Sequence, residues 1–166
     1  LYYLKIILYT VRSIFFYVVL GLNTIVLGSI LWVIEIFFPD RRRILRWGRF
    51  FSRLNFYESM CRLRLRGLEN LPAEGNAVYV SNHQGIFDVL EIYGFIPRDM
   101  IMVSKSSVFR IPFFGRGMRW ARFISVDRKD RDSRKAVIQN AIEQVRNGSS
   151  IHFFAEGTRT PDGSIQ

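Results

Sequence analysis

The chain has 166 residues, with 24 Lys and Arg against 14 Asp and Glu for a net charge of +10; that length predicts one domain with one hydrophobic core. Such an excess calls for nucleic acid or an anionic membrane, and aromatic residues at 15%, crowded into the first sixty positions beside long aliphatic runs, argue for membrane and against nucleic acid. One cysteine, Cys61, excludes an intramolecular disulfide, and no Cys/His cluster has zinc-binding spacing, so no metal is expected.

The first predicted element is apolar. Between Arg12 and Glu35 run twenty-two residues without a charge, "SIFFYVVLGLNTIVLGSILWVI", and about twenty apolar residues suffice to cross a hydrocarbon core. Two geometries satisfy that run: one spanning helix or, because Gly21 and Asn23 sit mid-run, a hairpin or interfacial element in one leaflet. The length of the run and the lack of a small-residue cleavage site argue against a signal peptide.

Next comes "PDRRRILRWGRFFSRLNFYESMCRLRLRG", with nine arginines: Arg41, Arg42, Arg43, Arg46, Arg49, Arg53, Arg62, Arg64 and Arg66. Interleaved with apolar residues at roughly helical spacing, they suit a helix on anionic headgroups, and the positive-inside bias puts this flank in the cytoplasm. A solvated basic helix face is the plainer alternative. By position Trp32 and Trp47 are interfacial anchors, and Cys61 is a structural thiol rather than a nucleophile. Residues 1–60 are thus expected to form a membrane-associated helical unit, and residues 61–166 a domain of different texture.

In that second part short apolar runs alternate with helix-like segments. "RLRLRG" has the period-two pattern of a half-buried strand, and "NAVYVSN", "MIMVSK", "FISVD" and "SIHFFAEG" read as further strands. "DRDSRKAVIQNAIEQVRNG" predicts a helix with Val137, Ala141, Ile142 and Val145 on one face, Asp132 or Ser133 as N-cap and Gly148 as the stop. Strands separated by helices predict an α/β fold: a largely parallel sheet flanked by helices, behind an N-terminal helical membrane element, with ligand sites at the carboxyl ends of the strands.

Three polar clusters fall at that address. They are Asn82 and His83 with Asp88, Ser104 with Lys105, and the run Glu156, Gly157, Thr158, Arg159. A carboxylate that accepts from imidazole Nδ1–H fixes the tautomer and leaves Nε2 to take a proton, so His83 and Asp88 form a candidate general base; a helix-capping role for the pair is the alternative. Ser81 lies on the strand before His83 and by alternation points away, so no nucleophile is provided and the base would act directly on a substrate hydroxyl. Lys105 and Arg159 add positive charge to the same edge, which suggests a phosphate-bearing substrate; the plain alternative for Arg159 is an exposed turn residue before Pro161. His152, inside "SIHFF", reads as a strand histidine rather than a ligand.

These blocks resemble a known family. "NHQGIFD" resembles the N-H-x-x-x-x-D motif of the glycerophospholipid acyltransferases, the family that includes 1-acylglycerol-3-phosphate acyltransferase, and "FFAEGTRT" is similar to its F-x-E-G-T-R-[ST] block. "KSSVFRIPFFGRGMRWARFISVDR" resembles the intervening block, so the resemblance runs in family order from about Val78 to Thr160. It implies His83 as the base that deprotonates the acceptor hydroxyl for attack on an acyl thioester, with Asp88 orienting it. It further implies that Lys105 and Arg159 bind the acceptor phosphate, that Glu156, Gly157 and Thr158 shape that pocket, that Pro112 and Gly115 form its turn, and that Arg128 stands near its edge. Gly85 stands where many members have Ser. The family's next apolar strand would follow "TPDGSIQ", so by resemblance part of the sheet lies beyond this chain, a piece of a longer protein.

The expected reaction is transfer of a fatty acyl chain from acyl-CoA or acyl carrier protein to the sn-2 hydroxyl of lysophosphatidic acid, giving phosphatidic acid, with no cofactor or metal. The expected partners are the lipid bilayer, the lysolipid and the acyl carrier, with no nucleic acid, and the catalytic domain on the cytoplasmic face of a membrane. Another lysolipid acceptor (lyso-ornithine lipid or lysophospholipid), a hydrolase, and a non-catalytic protein that binds anionic lipid are the competing readings.

Overall fold

The computed structural model describes residues 2–155. In chain order the elements are α1 (Tyr2–Phe37), α2 (Arg41–Glu58), β1 (Val78–Ser81), α3 (Ile86–Phe95), β2 (Met100–Lys105), α4 (Phe114–Trp120), β3 (Ile124–Val126), α5 (Arg131–Arg146) and β4 (Ser150–Phe154). The strands form one four-stranded sheet in the order β1-β4-β2-β3, and every pairing is parallel. The α/β architecture expected from the alternation of runs is therefore the one observed.

α1 is a single helix of 36 residues, about 54 Å long at 1.5 Å per residue. Gly21 and Asn23 do not break it, which removes the hairpin geometry. The reason is tertiary: Asn23 Nδ2 donates to Asn55 Oδ1 (3.0 Å) and Glu58 Oε2 (2.6 Å) on α2, so its polar group is satisfied without a turn. The helix ends just before Pro39, which restricts the residue preceding it, and Asp40 then caps α2 by accepting from the Arg42 backbone N–H.

α2 is amphipathic, and its buried stripe of Ile44, Leu45, Ser52, Asn55 and Phe56 faces inward. Ile44 and Leu45 join Tyr93 of α3 and Met100 and Met102 of β2 in one core cluster on one side of the sheet. On the other side Val137 and Ala141 of α5 cover Ile101, Ile124 and Ile151. Strand alternation delivers these two sets to opposite faces.

The arginine-rich flank is partly committed to this packing. Arg49 pairs with Asp99 (2.9 Å), Arg43 lies 3.7 Å from Glu35, and Arg53 donates to the Gly94 carbonyl, while Arg42, Arg46, Arg62, Arg64 and Arg66 stay exposed. Both tryptophans expected at an interface are half-buried against protein: Trp32 meets the Phe113 ring, with the Arg116 guanidinium 5.0 Å from its own, and Trp47 lines an internal recess.

Two local readings are corrected. "RLRLRG" is not a strand: residues 61–67 run without regular structure, and Leu63 spends its apolar face on the cluster of Phe16, Phe56 and Leu90 instead of on a neighbouring strand. α5 is capped by Asp130 rather than by Asp132 or Ser133, because the Asp130 carboxylate accepts from the Asp132 backbone N–H (2.9 Å) while Ser133 Oγ accepts from Asp127 N–H. Its Ile142 is 40% exposed, one residue round the helix from buried Ala141. Gly148 ends the helix as expected, at φ 82°, with Ser149 N–H returning to the Gln144 carbonyl and Gly148 N–H to that of Val145.

Candidate active site

β1 ends at Ser81, and the chain turns through Asn82, His83 and Gln84 into α3, whose N-cap is Gly85. Asp88 sits in the first turn, where an acidic side chain meets the exposed N–H groups of the helix start. Its Oδ2 accepts three bonds: from Gln84 N–H (2.6 Å), Gly85 N–H (2.9 Å) and His83 Nδ1 (2.9 Å). Capping and orienting histidine, read from sequence as alternatives, are done by one oxygen. Gly85 has no side chain to return a bond, so only half of a capping box is made.

Burial raises the Asp88 pKa, but the bonds from Gly85, Gln84 and His83 outweigh it and leave the carboxyl below its ordinary 3.8. An anionic Asp88 can only accept, so His83 carries its proton on Nδ1 and offers the Nε2 lone pair. The imidazole, on a residue only 8% exposed, lies on the Phe154 ring at 3.9 Å between centroids and 25° between planes. Stacking and the Asp88 bond together fix the ring in two directions.

His83 opens onto a cavity of about 490 Å³ lined also by Ser104, Lys105, Arg128 and Phe154. The carboxyl ends of all four strands thus contribute: β1 through His83, β2 through Ser104 and Lys105, β3 through Arg128 just beyond it, and β4 through Phe154. Lys105 and Arg128 are the cations among these lining residues, and both are exposed. Glu156, Gly157, Thr158 and Arg159 lie outside the described residues.

A second, smaller apolar recess of about 110 Å³ shares Thr24, Phe51, Leu90, Met102 and Met118 with this cavity and reaches Gly28, Leu31, Gly48 and Tyr93. Its walls come from α1, α2, α3, α4 and the sheet, so the N-terminal helices build part of the pocket. Gly115, expected at the pocket's turn, lies in the first turn of α4 and lines neither cavity; what demands glycine there is a close approach, since a Cβ would stand 2.1 Å from the Phe109 carbonyl oxygen. Pro112 precedes the same turn, and the Ile111 carbonyl accepts from Gly115 N–H at 2.8 Å.

Ser81 is placed differently from the alternation argument. It is register partner to Phe154, on the same sheet face, and its hydroxyl donates to the Asn82 carbonyl (3.0 Å) while Oγ meets His152 Nε2 (3.1 Å). No hydroxyl or thiol among the described residues hydrogen-bonds to His83. Phe154 and the α1 residues Leu20 and Thr24 are pocket residues that sequence reading did not single out. For Phe154 the period of two in "SIHFF", which puts His152 and Phe154 on one face, was the available signal; for α1 there was none.

A family model described as Acyltransferase matches residues 62–165. The chloroplastic 1-acyl-sn-glycerol-3-phosphate acyltransferase of Arabidopsis thaliana is 31% identical over 160 residues, covering 93% of this chain and 44% of that protein. The 1-acyl-sn-glycerol-3-phosphate acyltransferase of Pseudomonas aeruginosa is 29% identical over 160 residues, covering 93% and 62%. The crystal structure of the 1-acyl-sn-glycerophosphate acyltransferase PlsC from Thermotoga maritima superposes with a TM-score of 0.79 at 25% identity, over 95% of this chain and 64% of that one. The chain thus spans about half the length of these two curated relatives. The match takes in all four strands, His83, Asp88 and the turn through Gly115, and on that ground this chain belongs to the acyltransferase family.

Proposed function

We propose that this chain carries the catalytic centre of a membrane-associated O-acyltransferase that moves a fatty acyl group from acyl-CoA or acyl carrier protein to the sn-2 hydroxyl of lysophosphatidic acid. The observation that carries the reading is the His83 and Asp88 pair opening onto a cavity with cations on one side and an apolar recess on the other. His83 Nε2 removes the proton of the acceptor hydroxyl as its oxygen attacks the thioester carbonyl, and Asp88 stabilises the imidazolium. The tetrahedral intermediate expels the carrier thiolate, which takes that proton from His83, so the base is regenerated with no covalent enzyme intermediate. Lys105 and Arg128 hold the acceptor phosphate, joined by Arg159 on the strength of the resemblance, while Glu156, Gly157 and Thr158 shape that pocket, and the recess takes acyl chain. The names of the relatives support the acceptor.

The membrane attachment is through α1, which is long and apolar enough to cross a bilayer but is docked to the domain along one side. Arg12 bonds the Ser59 carbonyl, Phe16 packs on Phe87, Asn23 joins α2, and Glu35 faces Arg43. Those contacts extend over about 35 Å of helix, a length at which a crossing helix would drag the charged domain into the hydrocarbon. The reading that follows is a helix lying in one leaflet of the cytoplasmic face, with exposed Ile14, Val18, Leu22 and Ile25 in the acyl region. Exposed arginines of the flank then meet anionic headgroups.

Acyl transfer from labelled acyl-CoA and, separately, acyl carrier protein to lysophosphatidic acid, in membranes carrying the complete protein or its His83→Ala variant, tests the reaction. Loss of about 100-fold to 10,000-fold in turnover at unchanged membrane level supports the base assignment. A parent protein without transfer to any lysolipid defeats the reading and leaves lipid binding as its replacement, and free fatty acid as sole product indicates hydrolysis.

A further inference from the structure

His152 takes no part in the chemistry above, yet it sits in β4, an interior strand, within reach of it. The residue is 2% exposed, and its Nδ1 has no hydrogen-bond partner among the described residues. An aliphatic side chain would fill a strand interior without leaving a polar atom dry, so packing alone gives no reason for histidine here. Its side-chain hydrogen bond and its aromatic contact both lead to His83. Nε2 meets Ser81 Oγ at 3.1 Å, and the Ser81 hydroxyl reaches the Asn82 carbonyl, the peptide that enters His83. The ring also stands edge-on to Phe154 (4.7 Å, 77°), the ring on which His83 is stacked.

The direction of the hydrogen bonds follows from their last acceptor. A carbonyl only accepts, so the Ser81 hydroxyl donates to Asn82 and its oxygen must accept from His152, which therefore carries its proton on Nε2. The geometry points to His152 as a positioning residue that holds His83 in its reactive orientation, through the Ser81 hydroxyl on one side and the Phe154 ring on the other. This rests on His83 being the acyl-transfer base. Burial, with the His83 charge beside it, pushes the His152 pKa down to about 4, so at neutral pH the ring is an uncharged donor and does not compete for the proton that His83 must take.

This chain has two histidines, and ring nitrogen NMR of the labelled, complete protein in micelles identifies their signals by comparison with His152→Phe and His83→Ala. At pH 7 the expected pattern is His152 as the Nε2–H tautomer and His83 as the Nδ1–H tautomer. In His152→Phe and in Ser81→Ala, the His83 Nδ1–H signal should shift or broaden; the melting temperature should stay close to the parent's in His152→Phe and drop in Ser81→Ala, which strips the buried His152 Nε2–H of its partner. In the transfer assay, kcat of both variants should fall about tenfold with KM within about twofold, because a ring misplaced by a fraction of an ångström still binds substrate but reacts poorly. The two losses should not add, and His152→Gln, whose amide N–H reaches the same hydroxyl, should restore most of kcat. An Nδ1–H tautomer at His152 in the parent overturns the proposal, and so do variants that leave the His83 signal and kcat unchanged. A parent protein that transfers no acyl group defeats the acyltransferase reading instead, and the spectra still decide whether His152 holds His83.

Discussion

Asp88 concentrates three tasks in one oxygen: it caps α3, closes the loop through Gln84 and Gly85, and fixes the His83 tautomer. Asp88→Asn keeps an oxygen able to accept the same bonds but loses the charge that stabilises imidazolium. Turnover is expected to fall about 100-fold, with a stability loss of about 1 kcal/mol from the helix start; steady-state kinetics beside urea unfolding separates the two, and near-parental turnover contradicts the base assignment. His152 predicts an acid limb in stability. His152 falls from an ordinary 6.5 to about 4 on folding, so the unfolded chain takes up a proton in that window that the folded chain refuses. Stability is complete above about pH 6.5 and declines as pH falls toward 4, by about 3 kcal/mol. Asp88, depressed below 3.8, contributes stability that is present above that value and lost at still lower pH, whereas Glu91, raised by burial and by the Asp88 charge, works in the opposite sense. Unfolding free energies followed from pH 7 down to about pH 2 should therefore lose their upper step in His152→Phe and keep the lower one.

Among the elements, α1 and α2 show how far sequence texture carries. The apolar run correctly announces a helix, and the mixed arginine and apolar spacing announces a second, amphipathic one. The partners of that second helix were not legible, because a stripe of Ile, Leu and Phe suits a bilayer and a sheet equally; Ile44 and Leu45 meet Met100, Met102 and Tyr93. Close approach at Gly28 seals the pocket end of α1: a Cβ there would stand 2.6 Å from Phe113 Cβ, a fixed atom rather than a flexible tip. Phe113 is itself held at φ 59°, in the left-handed region, at the start of α4. Gly28→Ala is expected to push α1 off α4 and cost about 1–3 kcal/mol, with loss of transfer activity as the recess opens. Thermal unfolding of the complete protein in micelles checks it, and an unchanged midpoint would show that α1 and α4 do not pack as described.

At the scale of the whole molecule, an exposed apolar face and the cavity onto which His83 opens share the helix α1. Leu20 and Thr24 line the cavity while Val18, Leu22 and Ile25 face outward, so the proposed attachment and the proposed substrate site are mechanically joined. Replacing Val18 and Leu22 by Glu should weaken binding to anionic vesicles at least tenfold, since each change exchanges about 1.5–3 kcal/mol of buried apolar side chain for a charge. Because neither residue packs on the domain, the unfolding midpoint should hold. Flotation with vesicles measures the first and calorimetry the second; binding that survives both substitutions rules out α1 as the membrane element.

What sequence by itself determined was most of what has a short range. Short apolar runs bounded by polar residues mark β1 through β4, the period of 3.6 marks α5 with Val137 and Ala141 inward, and five residues of separation suffice for His83 and Asp88 to meet across a loop and a first helical turn. Tertiary structure alone decided what depends on distant neighbours. It turned "RLRLRG" from strand to irregular chain because Leu63 found Phe16 and Phe56, kept α1 unbroken because Asn23 found Asn55 and Glu58, and brought His152 beneath the site through Ser81 and Phe154. The physical reason is that a local pattern fixes which face of an element is apolar, whereas the surface that covers that face, and the polar group that satisfies an exception to it, come from wherever the sheet order brings them.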